Sequence, residues 1–507
     1  MSKFDVVIVG SGFGGLVCGY MLSKEGYKVC ILEKNHQLGG CLQTFVRNGC
    51  IFDTGMHYVG SLEPGQILYR FFKYLGLMDK IKLKKLDEDA FDIISVAGTD
   101  YKYAQGYDNF INTLLQSFPD EKEALIKYTD KLKEIANSLS LYNLKEVETY
   151  HNLIDNEYIT VGAFDYIKSI TSNERLQNVL SGLNSLYGGE KDKTPLYPHA
   201  IIKNSLIDSA WRLVDGGDQI AKLLADSIIE NGGSIFKKQE VTKFVLDSDN
   251  RNIKYAELSD SEQIEGKYFI SDIHPVKTLE MIDGGLIRKS YRNRINSLDN
   301  TIPIFSIYIV FKENTFNYLN YNIYHYNDEN VWGTETYQDN ATYIKNKWPD
   351  GYMCYTPANS KSDVYADCMI AMTYLKFNEV KNWEHTTIEK RGEDYLELKE
   401  YFAQKFINEL DKRFPGIRGK IKAYYTSTPL TYRDYIGTVN GSPYGIIKDF
   451  NNPLNSFLRS RTRIPNLLLT GQNIGLHGII GVSIGSLLTC SELLDLNYLI
   501  RKINDAS

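Results

Sequence analysis

The sequence predicts an α/β protein in which a dinucleotide-binding unit is joined to a second domain of mixed α+β structure with a helical cover. Three observations predict it. A short β-branched strand runs into a glycine turn and a helix at the very start of the chain. Two later stretches, about 210–285 and 420–507, repeat the alternation of strand and helix. The stretches between them carry helical periodicity and then separate apolar runs. At 507 residues the chain is also too long for one ordinary core.

The elements follow in order. Phe4 to Val9, FDVVIV, has the composition of a buried parallel strand. Gly10-Ser11-Gly12-Phe13-Gly14-Gly15 then satisfies GxGxxG, a helix pattern runs from Leu16 to Lys24, and Gly26 stands where that helix stops. Lys28 to Leu32 reads as a second strand and delivers Glu33 at its end. Gly10 permits the tight turn, Gly12 lets the backbone approach a pyrophosphate, and Gly15 lets helix and strand pack closely. The helix N-terminus attracts the phosphates, and Glu33 is placed to accept hydrogen bonds from ribose hydroxyls. Strand, glycines, helix, strand and terminal acid in this order make the signal far stronger than glycines alone. The motif by itself admits either NAD or FAD.

The residues after Glu33 narrow the choice. Lys34-Asn35-His36-Gln37-Leu38 leads to a second glycine pair, Gly39-Gly40, followed by Cys41. The pair resembles that of the amine oxidase and phytoene desaturase flavoproteins, with Cys41 where that group usually has arginine. Gly39-Gly40-Cys41, Thr44-Phe45 and Phe52-Asp53-Thr54-Gly55-Met56-His57-Tyr58-Val59-Gly60 together resemble retinol saturase and its bacterial relatives, a family beside the carotenoid desaturases and isomerases. The resemblance implies an FAD-binding Rossmann-like domain of the glutathione reductase and amine oxidase type, a non-covalent FAD and a separate substrate domain. It implies hydride transfer at flavin N5 to or from a C–C bond of a hydrophobic polyene or isoprenoid-like lipid, in the saturase or desaturase direction, and it admits NAD(P)H as an external electron donor.

Later segments extend the resemblance. Val214-Asp215-Gly216-Gly217-Asp218 leads into a helix with Ile220, Leu223, Leu224, Ser227 and Ile228 at helical spacing, closed by Gly232-Gly233. Ser234 to Lys237 and Val241 to Leu246 read as strands, and Phe269 to Pro275 as a strand and turn. In the related flavoproteins the position matching Val241 offers backbone hydrogen bonds to adenine. Pro465 to Asn473 is strand-like, and Gly478 to Gly485 opens a last helix containing Ile484, Leu487, Leu488 and Leu494. Such a junction lies against the flavin in the desaturase group, where a helix N-terminus stabilises negative charge on the reduced ring. The expected FAD domain is therefore 1–80, 210–285 and 420–507, and the expected substrate domain 81–209 and 286–419. Tyr101 to Leu183 reads as mostly helical, with strands at Thr301–Val310, Asn322–Tyr326 and Cys368–Thr373.

The expected cofactor contacts are Gly10, Gly12, Phe13, Gly14, Gly15, Glu33, Lys34, Gly39, Gly40, Cys41, His57, Val241, Gly471, Gln472, Gly478, Ile479 and Ile480. Three side chains are candidates for chemistry. His57 is either a proton donor or a group bonded to backbone near the flavin; His477, between Gly475 and Gly478, either polarises the flavin or is a solvent-exposed loop residue. Tyr435 is either a general acid or a packing aromatic, and Arg433 either binds a substrate or flavin oxygen or makes a surface ion pair.

Composition bounds the rest. A formal charge of -6 gives no global attraction to phosphate backbones, so nucleic acid is not an expected partner. Seven cysteines without a CxxC pair argue against a disulfide framework and a structural zinc site, which suits a cytoplasmic protein. No leader pattern and no membrane-spanning apolar run is apparent. Two basic clusters, Arg288-Lys289-Arg292-Arg294 and Arg459-Arg461-Arg463, are either solvated faces or peripheral contacts with anionic lipid. The 37 tyrosines either line an apolar pocket or reflect codon bias. Three alternatives stay open: a carotenoid cis-trans isomerase, a flavin amine oxidase, and a non-enzymatic lipid-binding protein of the Rab GDP-dissociation inhibitor type. Oligomeric state is not legible.

Overall fold

The computed structural model describes residues 3–148, 157–283, 287–333, 337 and 341–506. Two seven-stranded sheets organise it. The first contains β1 (Phe4–Val9), β2 (Val29–Glu33), β3 (Ser234–Lys237), β4 (Val241–Leu246), β5 (Ile253–Leu258), β6 (Gln263–Ser271) and β7 (Leu467–Leu469). Its parallel part runs β3-β2-β1-β6-β7, with Val7 opposite both Cys30 and Phe269. The first half of β6 instead pairs antiparallel with β5, and β5 with β4.

Helices α1 (Phe13–Lys24), α2 (Asp218–Glu230) and α3 (Gly478–Cys490) supply one cover. Leu16, Val17, Leu224, Ile228 and Leu487 pack there against Val6, Ile8 and Ile31. Val7, Val9 and Leu32 point to the other face, where Phe244, Ile253 and Leu279 meet them. Burial on both faces is why β1 reads as continuous Val and Ile instead of alternating. Helix α1 starts at Phe13, earlier than the expected Leu16, because Gly14 and Gly15 are poor helix formers that hide the first turn from a pattern search. Gly26, at φ +83°, donates to the Ser23 carbonyl at 3.0 Å and ends it. The expected last helix stops at Cys490, so Leu494 lies beyond it, and a further helix, Leu496–Asp505, follows.

The second sheet runs Ile421–Ser427, Ile304–Phe311, Cys368–Tyr374, Gly351–Tyr355, Asn322–Tyr326, Asp92–Val96, Thr99–Tyr103. The three expected strands are present. The strands at 92–96, 99–103, 351–355 and 421–427 were not anticipated, and Tyr101 is in a strand, not in the helical region expected from 101 to 183. Helices Tyr107–Leu115, Lys122–Ser138, Ala163–Ile170 and Glu174–Ser181 fill the rest of that region among the described residues. They pack on the sheet face that carries Tyr308, Tyr324, Tyr355 and Met372, while helix Glu393–Arg413 covers the face of Phe305, Ile307 and Met369.

Because Ile421–Ser427 pairs with Ile304–Phe311, the chain leaves the second sheet later than the expected boundary at 420. The expected boundary at 285 lies outside the described residues. A small sheet of Val59–Gly60, Leu83–Lys85 and Ala210–Leu213 joins the two halves. From it the buried Arg212 donates to the carbonyls of Thr356 (2.8 Å) and Leu319 (2.9 Å) and to Asn322 Oδ1 (2.7 Å).

Candidate active site

The end of β1, the start of α1 and the turn after β6 meet at one place. Gly10 adopts φ +97°, which turns the chain out of β1 into the helix. A Cβ built at Gly12 would stand 2.5 Å from Asp272 Oδ2, and one at Gly14 would stand 2.6 Å from Asp272 Oδ1 and 2.8 Å from Gly471 Cα. Four segments therefore converge on a cradle that only glycine backbone leaves open. Gly39-Gly40 closes it from the side: the Gly39 N–H donates to the Ser11 carbonyl at 2.9 Å, and a Cβ at Gly40 would lie 3.2 Å from Gly12 Cα. Ser486 Oγ, from α3, donates to the Gly14 carbonyl at 3.3 Å, so α3 is pinned to α1.

Glu33 sits at the end of β2, 6% exposed. Its Oε2 accepts from the Ser11 N–H (3.0 Å) and hydroxyl (2.6 Å), and its Oε1 accepts from the Asn35 N–H (2.8 Å). Asp272 was not among the expected site residues. Burial raises its carboxyl to about 7; the Glu33 charge adds to this, while the N–H groups of Gly15 and Gly12 oppose it. Its Oδ2 is buried with no hydrogen-bond partner among the described residues. These features fit a dinucleotide pyrophosphate: glycine backbone at a helix N-terminus, a carboxyl that is half protonated near neutrality, and an acid one strand away for a ribose.

The cradle opens into a cavity of about 600 Å3. Every expected cofactor contact lines it except Gly15, which packs against the Gly10 carbonyl. Its far part is apolar, with Leu186, Ile201, Ile202, Leu206 and Ile304 supplied by segments outside the first sheet. Tyr58, Tyr432 and Tyr444 also line it, so part of the tyrosine content serves the pocket.

His57 lies on the loop after the strand Cys50–Asp53, its Nδ1 3.1 Å from the Tyr355 hydroxyl. Burial pushes its imidazole down to about 4, with the Arg212 charge assisting. His477 is the residue before α3, partly buried, unlike the exposed loop histidine of the alternative expectation. Burial, then Lys448, pushes it too down to about 4, and its Nε2 is buried without a partner among the described residues. Both rings are neutral at ordinary pH, so any proton that either offers is that of a neutral imidazole N–H. They hydrogen-bond as neutral groups.

Tyr435 lines the same cavity. It is 39% exposed, and its carbonyl accepts from Asn35 Nδ2 at 2.9 Å, beside the Glu33 end of the cavity. Lys34 Nζ donates to the neighbouring Asp434 carbonyl at 3.0 Å. This exposure gives the phenol neither the enclosure of a packing aromatic nor a water-free site for a general acid. Arg433 donates to Asp434 Oδ1 (2.7 Å) and to the Glu384 carbonyl (2.6 Å), an internal anchor. Cys41 lines the cavity as a thiol, burial pushing it up to about 11.

The basic clusters are partly spent inside the protein. Arg292 donates to the Ile282 carbonyl (2.6 Å), Arg294 to the Asn455 carbonyl (3.1 Å), and Arg461 to Glu492 (2.8 Å). Arg288, Lys289, Arg459 and Arg463 are exposed. No helix among the described residues is long and apolar enough to cross a membrane, and no group of three potential metal ligands occurs among them.

Comparison with known proteins places this geometry. Residues 8–75 match the family model described as an NAD(P)-binding Rossmann-like domain. The chain is 27% identical to the all-trans-retinol 13,14-reductase of Rattus norvegicus over 98% of this chain and 86% of that one. It is 23% identical to prolycopene isomerase 1, chloroplastic, of an Oncidium hybrid cultivar, over 87% of this chain and 75% of that one. Among solved structures, an oxidoreductase from Methanosarcina mazei superposes with a TM-score of 0.62 at 16% identity, covering 96% of this chain and 99% of that one.

Proposed function

Starting from a chain related along its whole length to all-trans-retinol 13,14-reductases, we propose that this protein is an FAD-dependent oxidoreductase acting on a carbon–carbon double bond of a hydrophobic polyene or isoprenoid-like lipid, in the direction of saturation. The observation that carries the reading is the junction of two environments in one cavity: a glycine cradle with Glu33 and Asp272 at one end, and an apolar chamber at the other.

FAD, when bound, exchanges hydride at its N5 and so supplies the redox chemistry. The chain's own residues do the rest. Backbone N–H groups at the start of α1 would hold the pyrophosphate, and Glu33, which accepts from Ser11, would hold the adenosine ribose. The N-terminus of α3, between His477 and Ile480, presents its positive end to the cavity, where it steadies negative charge. His57 and His477 act as neutral hydrogen-bonding groups that orient whatever lies between them. The apolar wall of Leu186, Ile201, Ile202 and Ile304 excludes water and aligns an elongated chain.

The test is anaerobic mixing of the reduced holoprotein with candidate polyenes, following flavin reoxidation and polyene absorbance together. Saturation requires reoxidation with a polyene band moved to shorter wavelength. The similarity to prolycopene isomerases favours a second reading, isomerisation, which would leave conjugation length and flavin redox state unchanged while altering chromatographic mobility. Hydrogen peroxide on amine addition, with no polyene change, would replace both with an amine oxidase.

A further inference from the structure

A second cavity of about 50 Å3 lies behind the first and shares four wall residues with it, His57, Leu186, Ile304 and Tyr444. Much of its remaining wall comes from the second sheet and includes four tyrosines, Tyr324, Tyr326, Tyr352 and Tyr374. Two of these hydroxyls are committed: Tyr324 Oη lies 2.9 Å from Tyr58 Oη, and Tyr326 Oη donates to the Gly182 carbonyl at 2.8 Å. Tyr352 Oη and Tyr374 Oη are both buried with no hydrogen-bond partner among the described residues, but the Tyr352 ring packs against His325 and Phe406 in the core of the opposite sheet face, which leaves Tyr374 as the candidate. A buried hydroxyl left unpaired beside a void is a position that a ligand atom can complete.

Resting on the reading of the main cavity as a polyene site, we infer that the second cavity receives the far end of the same substrate. The Tyr374 hydroxyl hydrogen-bonds a terminal alcohol there, which makes Tyr374 a specificity-determining residue for alcohols over the corresponding hydrocarbons and acids. Size supports a chain end: the volume is several times the ~10–15 Å3 that one water needs, yet far below a drug-sized pocket of about 300 Å3. Charge supports an alcohol over a carboxylate. Asp350 lines the cavity and no lysine or arginine among the described residues does, so an anion would meet an acid and no counter-charge there. Burial keeps the Tyr374 phenol protonated, able both to donate to and to accept from a neutral hydroxyl.

The test uses Tyr374→Phe in the holoprotein. The ring stays against Gly333, and the bond from Trp348 Nε1 to the Tyr374 carbonyl (2.7 Å) uses backbone, so fold and flavin content should not change. Three probes with one skeleton are titrated by fluorescence: all-trans-retinol, the hydrocarbon ending in methyl, and the acid. The wild type should bind the alcohol about tenfold more tightly than the other two, and Tyr374→Phe should lose about tenfold on the alcohol with less than about twofold change on the hydrocarbon. Equal effects on alcohol and hydrocarbon, no effect on either, or a wild type that does not prefer the alcohol would overturn the assignment. Turnover is read separately on the same probes. Selective binding without turnover sinks the reductase reading and leaves the Tyr374 site standing; turnover without selectivity does the reverse.

Discussion

The rings of His477 and Tyr444 lie 4.8 Å apart, which ties the start of α3 to the wall common to both cavities. His477 thus has two separable properties, its packing on Tyr444 and its unpaired Nε2. His477→Phe keeps the first and removes the second. The variant should retain flavin content and melting temperature while kcat falls about tenfold, the equivalent of ~1.4 kcal/mol. Unchanged kcat would leave the ring as packing alone.

Asp272 and His57 make opposite predictions about pH. Below about 7 the Asp272 carboxyl is neutral, so an anionic pyrophosphate beside it meets no repulsion; above that pH the charge opposes binding. FAD affinity should therefore decline as pH rises through about 7. Asp272→Asn should flatten the profile, whereas His57→Gln should leave the slope intact, because burial already holds that imidazole at about 4. The same linkage acts on the apoprotein. A folded-state value above the unfolded 3.8 means the native state binds more protons, so this residue's contribution to stability falls between about pH 4 and 7. Thermal melts of apo Asp272→Asn should exceed wild type at pH 8 and approach it near pH 4.

Glu33 organises its surroundings as well as serving as the proposed ribose ligand. Glu33→Ala frees the Ser11 and Asn35 N–H groups that it now holds. FAD affinity should fall at least about tenfold, measured by flavin fluorescence, with a smaller drop in apoprotein melting temperature. An affinity within twofold of wild type would remove Glu33 from the cofactor site.

Arg212 ties the small joining sheet to the second sheet and to the segments next to its strands. Arg212→Leu leaves the Leu319 and Thr356 carbonyls and Asn322 without their donor in a buried region. Denaturant unfolding should show a loss of about 3 kcal/mol. A loss below about 1 kcal/mol would mean that water replaces the guanidinium.

The legible parts of the sequence were local ones. FDVVIV with its glycines, the strands at Ser234–Lys237 and Val241–Leu246, and the start of α3 at Gly478 are each determined by residues adjacent in the chain. The strand Asp92–Val96 escaped because it opens on a fully buried aspartate, whose partners Asn322 and Tyr58 come from distant segments. Ile421–Ser427, IKAYYTS, has a lysine and a Tyr pair where a buried strand would show Val and Ile, and it is only partly buried as an edge strand. Asp272 was visible as a letter but not as a site residue, since its meaning depends on Gly12, Gly14 and Gly471 meeting around it. The neutrality of His57 and His477 was hidden for the same reason: burial belongs to the assembled cavity, not to the sequence beside them.

The central claim is that the glycine cradle holds FAD, and equilibrium titration with FAD tests it most directly. Wild-type apoprotein should bind one flavin per chain and melt at a higher temperature with it. Gly12→Val, whose added atoms would run into Asp272 Oδ2, should stay folded and colourless. A folded wild type that takes up no flavin and gains no thermal stability, or a Gly12→Val variant that binds as well as wild type, would contradict the account.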